Sequence, residues 1–112
     1  NDLLRPSHYD AYHRIESVQA AEGRGRFDVV GPICESGDFL ALDRELDSVD
    51  SGALLCVFTA GAYGISMASN YNARPRPCEV LVDGTRWGVI SVRETYDDLV
   101  RRETLSPDWR TS

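Results

Sequence analysis

The chain has 112 residues, of which 42% are hydrophobic, and this suits one small globular domain with a single core. Its formal net charge is −6, and all twelve basic residues are arginines. An acidic chain repels phosphate backbones, which argues against nucleic-acid binding, and a chain without lysine cannot form a Schiff base through a side-chain amine.

The three cysteines, Cys34, Cys56 and Cys78, form no CxxC or CxxH pair. An odd number of cysteines in an acidic chain without a secretory leader favours free thiols in the cytoplasm, and the spacing argues against a metal site. No apolar run approaches the ~20 residues that a membrane-spanning helix needs. The chain begins at Asn1 without a methionine, so we expect it to be cut from a longer polypeptide.

The first third of the chain is predicted to contain three extended stretches. Residues 1–9 include an Arg-Pro pair, and proline disfavours helix at the residue before it, so this segment is predicted to be extended. Residues 12–20 carry an imperfect strand pattern. Residues 27–34 are rich in β-prone side chains, with an internal Gly-Pro pair that suggests a bulge or a sheet edge.

Two stronger strand signals follow. Residues 53–60 are nearly all apolar, which is typical of a strand buried on both faces. Residues 78–82 and 86–93 flank Asp83-Gly84, and an Asp-Gly pair between β-prone runs is the strongest short-range signal for a hairpin.

A short helix is predicted near the end of the chain. Thr95 is followed three positions later by Asp98, as in a capping box, and residues 105–112 have the character of a tail. Five or six strands and one short C-terminal helix predict a mainly β fold. We expect a small antiparallel barrel or sandwich that occupies residues 1–104.

Two clusters carry side chains that can bind a charged group or move a proton. Arg5 and Tyr9 are four residues apart, so in an extended segment they point to the same side, where they can hold a carboxylate. Cys34 can donate a proton in a sheltered site, and the adjacent Glu35 can bind an ammonium group. The alternatives are a surface arginine beside a packed tyrosine, and a structural cysteine before a polar turn.

A third cluster places one aromatic side chain among very small neighbours. In Gly61-Ala62-Tyr63-Gly64 a ligand can approach the backbone closely, and the tyrosine hydroxyl can bind a phosphate. The alternative is a tight turn with a half-buried tyrosine.

Three stretches of sequence together resemble one enzyme family. They are RPSHYDAYH, GPICESGDFLA and TAGAYGISMASNYNARPRPCEVLVDG, and Arg5, Cys34 and Tyr63 within them stand at intervals of 29 residues. This order resembles the C-terminal domain of diaminopimelate decarboxylase, a pyridoxal phosphate (PLP) enzyme of the alanine-racemase-like fold type, fold-type III. The ESGD, AGAYG and SNYN–RPRP–EVLV segments separate that family from ornithine decarboxylase and alanine racemase. The resemblance runs from about Leu4 to Val100.

The resemblance implies a role for each clustered residue. Arg5 and Tyr9 match the RPxxY motif that contacts the substrate carboxylate. Cys34 is implied to be the proton donor after CO₂ loss, and Glu35 to bind the distal end of the substrate from across a homodimer interface. Tyr63 is implied to contact the PLP phosphate and to lie near the substrate.

The resemblance also implies what this chain lacks. The family's N-terminal (α/β)₈ barrel holds the Schiff-base lysine, a histidine that faces the PLP ring and a glycine-rich phosphate loop. We therefore expect a full enzyme that converts meso-diaminopimelate to L-lysine in lysine biosynthesis, and a chain that is inactive alone. Ser7-His8 stand where the family often has apolar residues, and neither His8 nor His13 has an acid placed beside it, so neither is predicted to be a catalytic base.

Two alternatives stay open. Related decarboxylases act on ornithine, arginine or carboxynorspermidine, although Glu35 and the Ser-Gly-Asp that follows favour diaminopimelate. A chain without the barrel can also be a non-catalytic β module used for association. In either case the isolated domain is expected to expose apolar surface that favours self-association.

Overall fold

The computed structural model describes residues 1–111, which contain six strands and two short α-helices. In chain order these are α1 (Arg5–Tyr9), β1 (Ile15–Ser17), β2 (Arg24–Val30), β3 (Phe39–Asp47), β4 (Leu55–Val57), β5 (Glu79–Asp83), β6 (Arg86–Ser91) and α2 (Tyr96–Val100). A 3₁₀ turn spans Tyr71–Ala73. The chain divides into two compact units, Asn1–Ser69 and a second that begins at Asn70. Within residues 1–111, neither helix has the length and apolar character required to cross a bilayer.

The strands form three two-stranded antiparallel sheets. β1 pairs with β4, β2 with β3, and β5 with β6. The prediction of a mainly β fold with few helices is confirmed. Residues 1–111 form no closed barrel, because none of their sheets has more than two strands.

The first segment is helical, so the predicted extended conformation of residues 1–9 is wrong. α1 begins at Arg5 and carries Pro6 in its first turn, where the helix needs no N–H and where the fixed φ of proline suits helical backbone. This preference outweighs the bias against helix at the residue before proline. The helix ends at Tyr9, and the C-cap residue Asp10 has a left-handed φ of 53°.

The two longest described strands, β2 and β3, pair with a bulge. The register slips after Phe27, and Asp43 adopts a left-handed φ of 47°. The carboxylate of Asp28 accepts the Asp43 N–H at 2.7 Å, so the bulged donor is satisfied. Arg26 donates two hydrogen bonds to the Asp43 carboxylate, at 2.7 and 2.6 Å, and this pairing lowers the pKa of Asp43. The exposed Arg26–Asp43 ion pair therefore stabilises the bulge through polar contacts alone.

A small apolar core lies in the first unit. Its buried members are Ile15, Ala41 and Leu46, with Val29, Leu40 and Val57 packed against them. The prediction that residues 53–60 form a strand buried on both faces is wrong for this chain. β4 covers three of those residues and pairs only with β1, and Leu54 just before it is 60% exposed.

Two local predictions in the second unit are confirmed. β5 and β6 form a hairpin in which Asp83 pairs with Arg86, and Gly84 in the turn has a left-handed φ of 61°. At the start of α2 the Thr95 hydroxyl accepts the Asp98 N–H at 3.3 Å, and the Asp98 carboxylate accepts the Thr95 N–H at 2.8 Å. This reciprocal pair is the predicted capping box.

One carboxylate organises the start of the second unit. Glu94 accepts hydrogen bonds from the Asn70 side chain at 2.6 Å, the Arg76 backbone N–H at 2.7 Å and the Arg76 guanidinium at 3.1 Å. The Arg76 backbone bond is the main reason that the pKa of Glu94 is lowered. Glu94 thereby ties the end of β6 to the segment between Asn70 and β5.

Candidate active site

The loop between β2 and β3 carries Cys34 and Glu35 at its tip. The loop comprises residues 31–38, which separate the last residue of β2 from the first residue of β3. Both side chains are exposed, and the Cys34 thiol is free. Glu35 Oε1 accepts the Gly37 N–H at 3.2 Å and the Ser36 hydroxyl at 3.4 Å. The loop therefore orients the carboxylate through one of its two oxygens.

Asp38 closes the base of this loop, and the sequence patterns assign it no role. Its carbonyl accepts the Gly31 N–H at 2.6 Å, and its carboxylate accepts the Ile33 N–H at 3.0 Å. The residue is 8% exposed. The sequence signal that points to it is an acidic residue directly before a strand, with a glycine at the other end of the same loop.

α1 lies beside the tip of the loop. A Cβ placed on Gly37 would lie 3.9 Å from the Cβ of Ser7 and 3.7 Å from Glu35 Oε1. Ser7 stands between Arg5 and Tyr9 in the helix. α1, which carries Arg5 and Tyr9, therefore lies next to the loop that carries Cys34 and Glu35.

Tyr63 lies in a strained turn after β4. Its φ of 60° is left-handed, a conformation that costs a non-glycine residue about 1–3 kcal/mol and is concentrated at functional sites. Gly64 is required next to it, because a Cβ there would lie 2.3 Å from the carbonyl oxygen of Ala60. The ring is 67% exposed, and the Arg5 guanidinium carbon lies 5.8 Å from its centroid. The Arg5 guanidinium thus lies over the Tyr63 ring within cation–π range.

Tyr9 does not join that contact. Its ring lies edge-on to the ring of His8, 4.6 Å away, and the side chain is 61% exposed. The structure brings Arg5 to Tyr63 and α1 to the loop tip, and it leaves the Tyr9 phenol in solvent.

His13 anchors the strand that leads to Tyr63. The residue is 2% exposed, and its Nδ1 lies 3.0 Å from the carbonyl oxygen of Phe58. A carbonyl oxygen can only accept, so Nδ1 carries the proton in this bond. The Phe58 N–H in turn donates to the Arg14 carbonyl at 2.8 Å, which continues the β1–β4 pairing toward the turn. His13 therefore has a structural role in holding that turn.

The predicted site residues form an open surface, because Tyr9, Cys34, Glu35 and Tyr63 are exposed. A cavity of about 540 Å³ in the same unit is lined by residues that include Gln19, Glu22 and Asp50, and by none of the five predicted site residues. Small-molecule sites usually enclose most of the ligand surface. A ligand at this surface therefore needs a second wall from another segment of polypeptide.

Residues 1–61 match the family model of the C-terminal sheet domain of pyridoxal-dependent decarboxylases. The match covers more than half of the 112 residues. The chain belongs to this family. The resemblance inferred from the sequence motifs is confirmed at the level of the decarboxylase family.

Curated relatives of this decarboxylase domain extend the match over nearly the whole chain. The diaminopimelate decarboxylase of Archaeoglobus fulgidus is 52% identical over 111 residues, which are 97% of this chain and 26% of the relative. That of Aquifex aeolicus is 54% identical over 101 residues, which are 89% of this chain and 24% of the relative.

Solved structures match as well. The crystal structure of diaminopimelate decarboxylase from Methanocaldococcus jannaschii in co-complex with L-lysine has a TM-score of 0.88 at 44% identity. The match covers 95% of this chain and 24% of that one. This decarboxylase domain spans about a quarter of the length of the relatives that it matches.

The turn that contains Gly61 and Tyr63 has room for the phosphate of PLP. A Cβ on Gly61 would meet nothing within 4 Å, and the neighbouring Tyr63 phenol is exposed, so a phosphate can approach the backbone at this turn. The chain contains no lysine, so it offers no side-chain amine for a covalent attachment of PLP.

Proposed function

We propose that this chain is the C-terminal domain of a diaminopimelate decarboxylase, with residues 1–104 as the β domain and residues 105–112 as a tail. The observation that carries the proposal is 52% identity over 111 residues to an enzyme of that name. The proposed reaction of the full enzyme is the decarboxylation of meso-diaminopimelate to L-lysine, in lysine biosynthesis.

In this proposal Arg5, Tyr9 and Glu35 bind the charged groups of the substrate. Arg5 and Tyr9 are four residues apart in α1, so they share one face of the helix. The planar guanidinium offers paired N–H donors that match a carboxylate. Meso-diaminopimelate carries an amino-acid group at each end, so recognition needs a second contact, and Glu35 supplies it to the distal ammonium.

Cys34 donates the proton that replaces CO₂. Bound PLP supplies an electron sink for the charge left on carbon when CO₂ departs. The Cys34 Sγ–H bond breaks as its proton moves to that carbon, and the thiolate recovers a proton from solvent. Tyr63 donates a hydrogen bond from its phenol to the PLP phosphate, from a turn that leaves the ring exposed.

The full enzyme is proposed to be a cytoplasmic homodimer with an N-terminal (α/β)₈ barrel that carries the PLP lysine. The loop tip then reaches the active site of the partner subunit. The open surface around Arg5 and Tyr63 supports this arrangement, as does the length of the relatives, of which this chain covers about a quarter. The barrel or sandwich predicted for this domain is also proposed for the full enzyme, where further strands can extend the two-stranded sheets.

The substrate assignment is tested with the full-length polypeptide that contains this chain. Its kcat/KM for meso-diaminopimelate is measured beside those for L-ornithine, L-arginine and carboxynorspermidine. We expect a preference for meso-diaminopimelate that Glu35→Gln weakens, because the neutral amide gives up the charge that attracts the distal ammonium. A preference for one of the other three substrates would contradict the assignment of meso-diaminopimelate and would leave the assignment of a PLP-dependent decarboxylase intact.

A non-catalytic association module is the second candidate, and the absence of lysine from the chain favours it. The coding sequence upstream of Asn1 discriminates the two functions. A reading frame that continues into a lysine-bearing barrel removes the second candidate, and a stop codon there removes the first.

A further inference from the structure

We propose that Asp38 is the positioning residue of this active site, which fixes the Cys34–Glu35 tip relative to α1. The inference rests on the proposed function for the roles of the tip residues, and it deepens that function. The hydrogen bonds that carry it are independent of which substrate binds.

The Asp38 carboxylate joins two segments of the site. Oδ2 accepts the N–H of Ile33, the residue immediately before Cys34, at 3.0 Å. Oδ1 accepts from the ammonium nitrogen of Asn1 and forms an ion pair with it, and Asn1 lies four residues before α1 begins. A nitrogen at this position has an N–H to donate whether it is a free amine or part of a peptide bond. One buried carboxylate therefore holds both the loop and the segment that leads to Arg5.

The backbone of Asp38 closes the same loop. Its carbonyl accepts the Gly31 N–H at 2.6 Å, and its N–H donates to the Glu35 carbonyl at 2.9 Å. An eight-residue connection without regular structure would otherwise sample many conformations. These bonds remove that freedom on both sides of Cys34.

Gly31 shows how closely the loop fits the carboxylate. A Cβ placed on Gly31 would lie 2.0 Å from Asp38 Oδ2, well inside van der Waals contact. Only glycine at this position leaves room for the carboxylate to reach the Ile33 N–H. Any side chain at position 31 must displace Asp38, so a substitution of either Gly31 or Asp38 perturbs the same contact.

The tip residues themselves are exposed, whereas Asp38 is 8% exposed. Asp38 is therefore shielded by the loop that it orders, and we assign it no contact with substrate. Misplacing a reacting group by about 1 Å can cost about 100-fold in rate, so a residue that sets the tip position controls turnover without touching the reactants.

Asp38→Asn and Gly31→Ala test the proposal in the full-length polypeptide. Both groups that face the carboxylate are N–H donors, so asparagine can accept from one of them and presents its own N–H₂ to the other. Alanine at position 31 pushes the carboxylate away from the Ile33 N–H. Asp50→Asn changes an exposed carboxylate in a turn of the same unit, and Ile15→Val weakens the core at a residue outside the loop. These two variants are the controls for charge and for stability.

Three readouts separate positioning from general stability. They are amide hydrogen exchange of the peptide that contains residues 31–38, the alkylation rate of Cys34 relative to Cys56 and Cys78, and kcat with meso-diaminopimelate. We expect both loop variants to speed exchange at Ile33 at least tenfold, to change the relative alkylation rate of Cys34, and to lower kcat about 10- to 100-fold. Two controls should leave all three readouts unchanged. They are Asp50→Asn, and Ile15→Val compared at a loss of Tm equal to that of the loop variants.

Three results would overturn the proposal. The first is hydrogen exchange in residues 31–38 that stays the same in both loop variants. The second is a kcat that stays the same although the loop exchanges faster. The third is a kcat that falls equally in Ile15→Val at matched Tm. If the unsubstituted polypeptide releases no CO₂ from meso-diaminopimelate, the proposed function fails, and the exchange data still decide whether Asp38 holds the loop.

Discussion

The Cys34 thiol differs from the other two cysteines in its setting rather than in its exposure. All three thiols are free and exposed. Cys56 lies within β4, opposite Glu16, and Cys78 directly precedes β5. Cys34 alone among them stands in a loop whose backbone is tied on both sides by hydrogen bonds to Asp38. A proton donor needs such a fixed position, because proton transfer requires hydrogen-bond distance to the reacting carbon.

Replacing Cys34 with alanine tests this role directly. In the full-length polypeptide we expect Cys34→Ala to lower kcat about 10²- to 10⁴-fold, the range of a general acid, with a smaller change in KM. Cys56→Ala removes another exposed thiol, which lies outside the loop, and this variant should keep the activity of the unsubstituted enzyme. The measurement is the rate of CO₂ release at saturating meso-diaminopimelate. Equal rates for Cys34→Ala and the unsubstituted enzyme would rule out the thiol as the donor.

At the scale of elements, the hairpin of β2 and β3 is the scaffold of the loop tip. Its bulge is locked by Arg26 and Asp28, which both bind Asp43, and its inner face contributes Ala41 and Leu46 to the core. A loop on a paired, partly buried hairpin keeps its position better than one between unpaired segments. The scaffold and Asp38 together account for the fixed backbone at Cys34.

Glu94 makes the second unit sensitive to pH. Because its pKa is lowered in the folded chain, the stability that it contributes is present above its ordinary value of 4.5 and is lost as the pH falls through the depressed pKa. We expect the backbone amide resonance of Arg76 to follow this titration, and Glu94→Gln to abolish it. Glu103→Gln, in the same unit, is the control and should leave the Arg76 titration intact. An Arg76 resonance that titrates equally in Glu94→Gln would contradict this assignment.

Local chemistry decides which elements could be predicted. The Asp83-Gly84 turn and the Thr95–Asp98 capping box each depend on residues three or fewer positions apart, and both form as the sequence indicates. The helix at Arg5 was mispredicted because two local rules for proline compete there. Residues four apart lie on one side of a helix as well, but the side chains of Arg5 and Tyr9 have different neighbours: Arg5 lies beside Tyr63, and Tyr9 packs against His8.

Other features depend on contacts that sequence spacing does not reveal. Asp38 matters because the fold brings its carboxylate to Asn1 and its backbone to Gly31. Burial of residues 53–60 on both faces requires covering layers that residues 1–111 do not form. The contact between Arg5 and Tyr63 joins residues 58 positions apart, and no local pattern predicts it.

At the scale of the whole molecule, the described residues expose many large apolar side chains to solvent. The β5–β6 hairpin exposes Val80, Leu81, Val82, Trp87, Val89 and Ile90, with Trp87 at 73%. Several exposed apolar side chains on one hairpin of an isolated domain indicate an interaction surface. In the proposed full enzyme, other parts of the assembly cover it.

Sedimentation velocity of the isolated chain checks this interpretation. We expect self-association that rises with concentration, because pairing of hairpin faces removes apolar area from water. Trp87→Thr reduces the apolar area and keeps a side chain suited to a strand, so it should associate less. A strict monomer at high concentration would show that the exposed hairpin does not drive association.

The central claim is that this chain provides substrate-binding and proton-donating side chains to a cofactor held by another segment. Release of CO₂ from meso-diaminopimelate, in the presence of PLP, tests it by comparing the isolated chain with the full-length polypeptide. We predict no release from the chain, which contains no lysine, and rapid release from the full-length polypeptide. Rapid release from the isolated chain, or none from the full-length polypeptide, would contradict the claim.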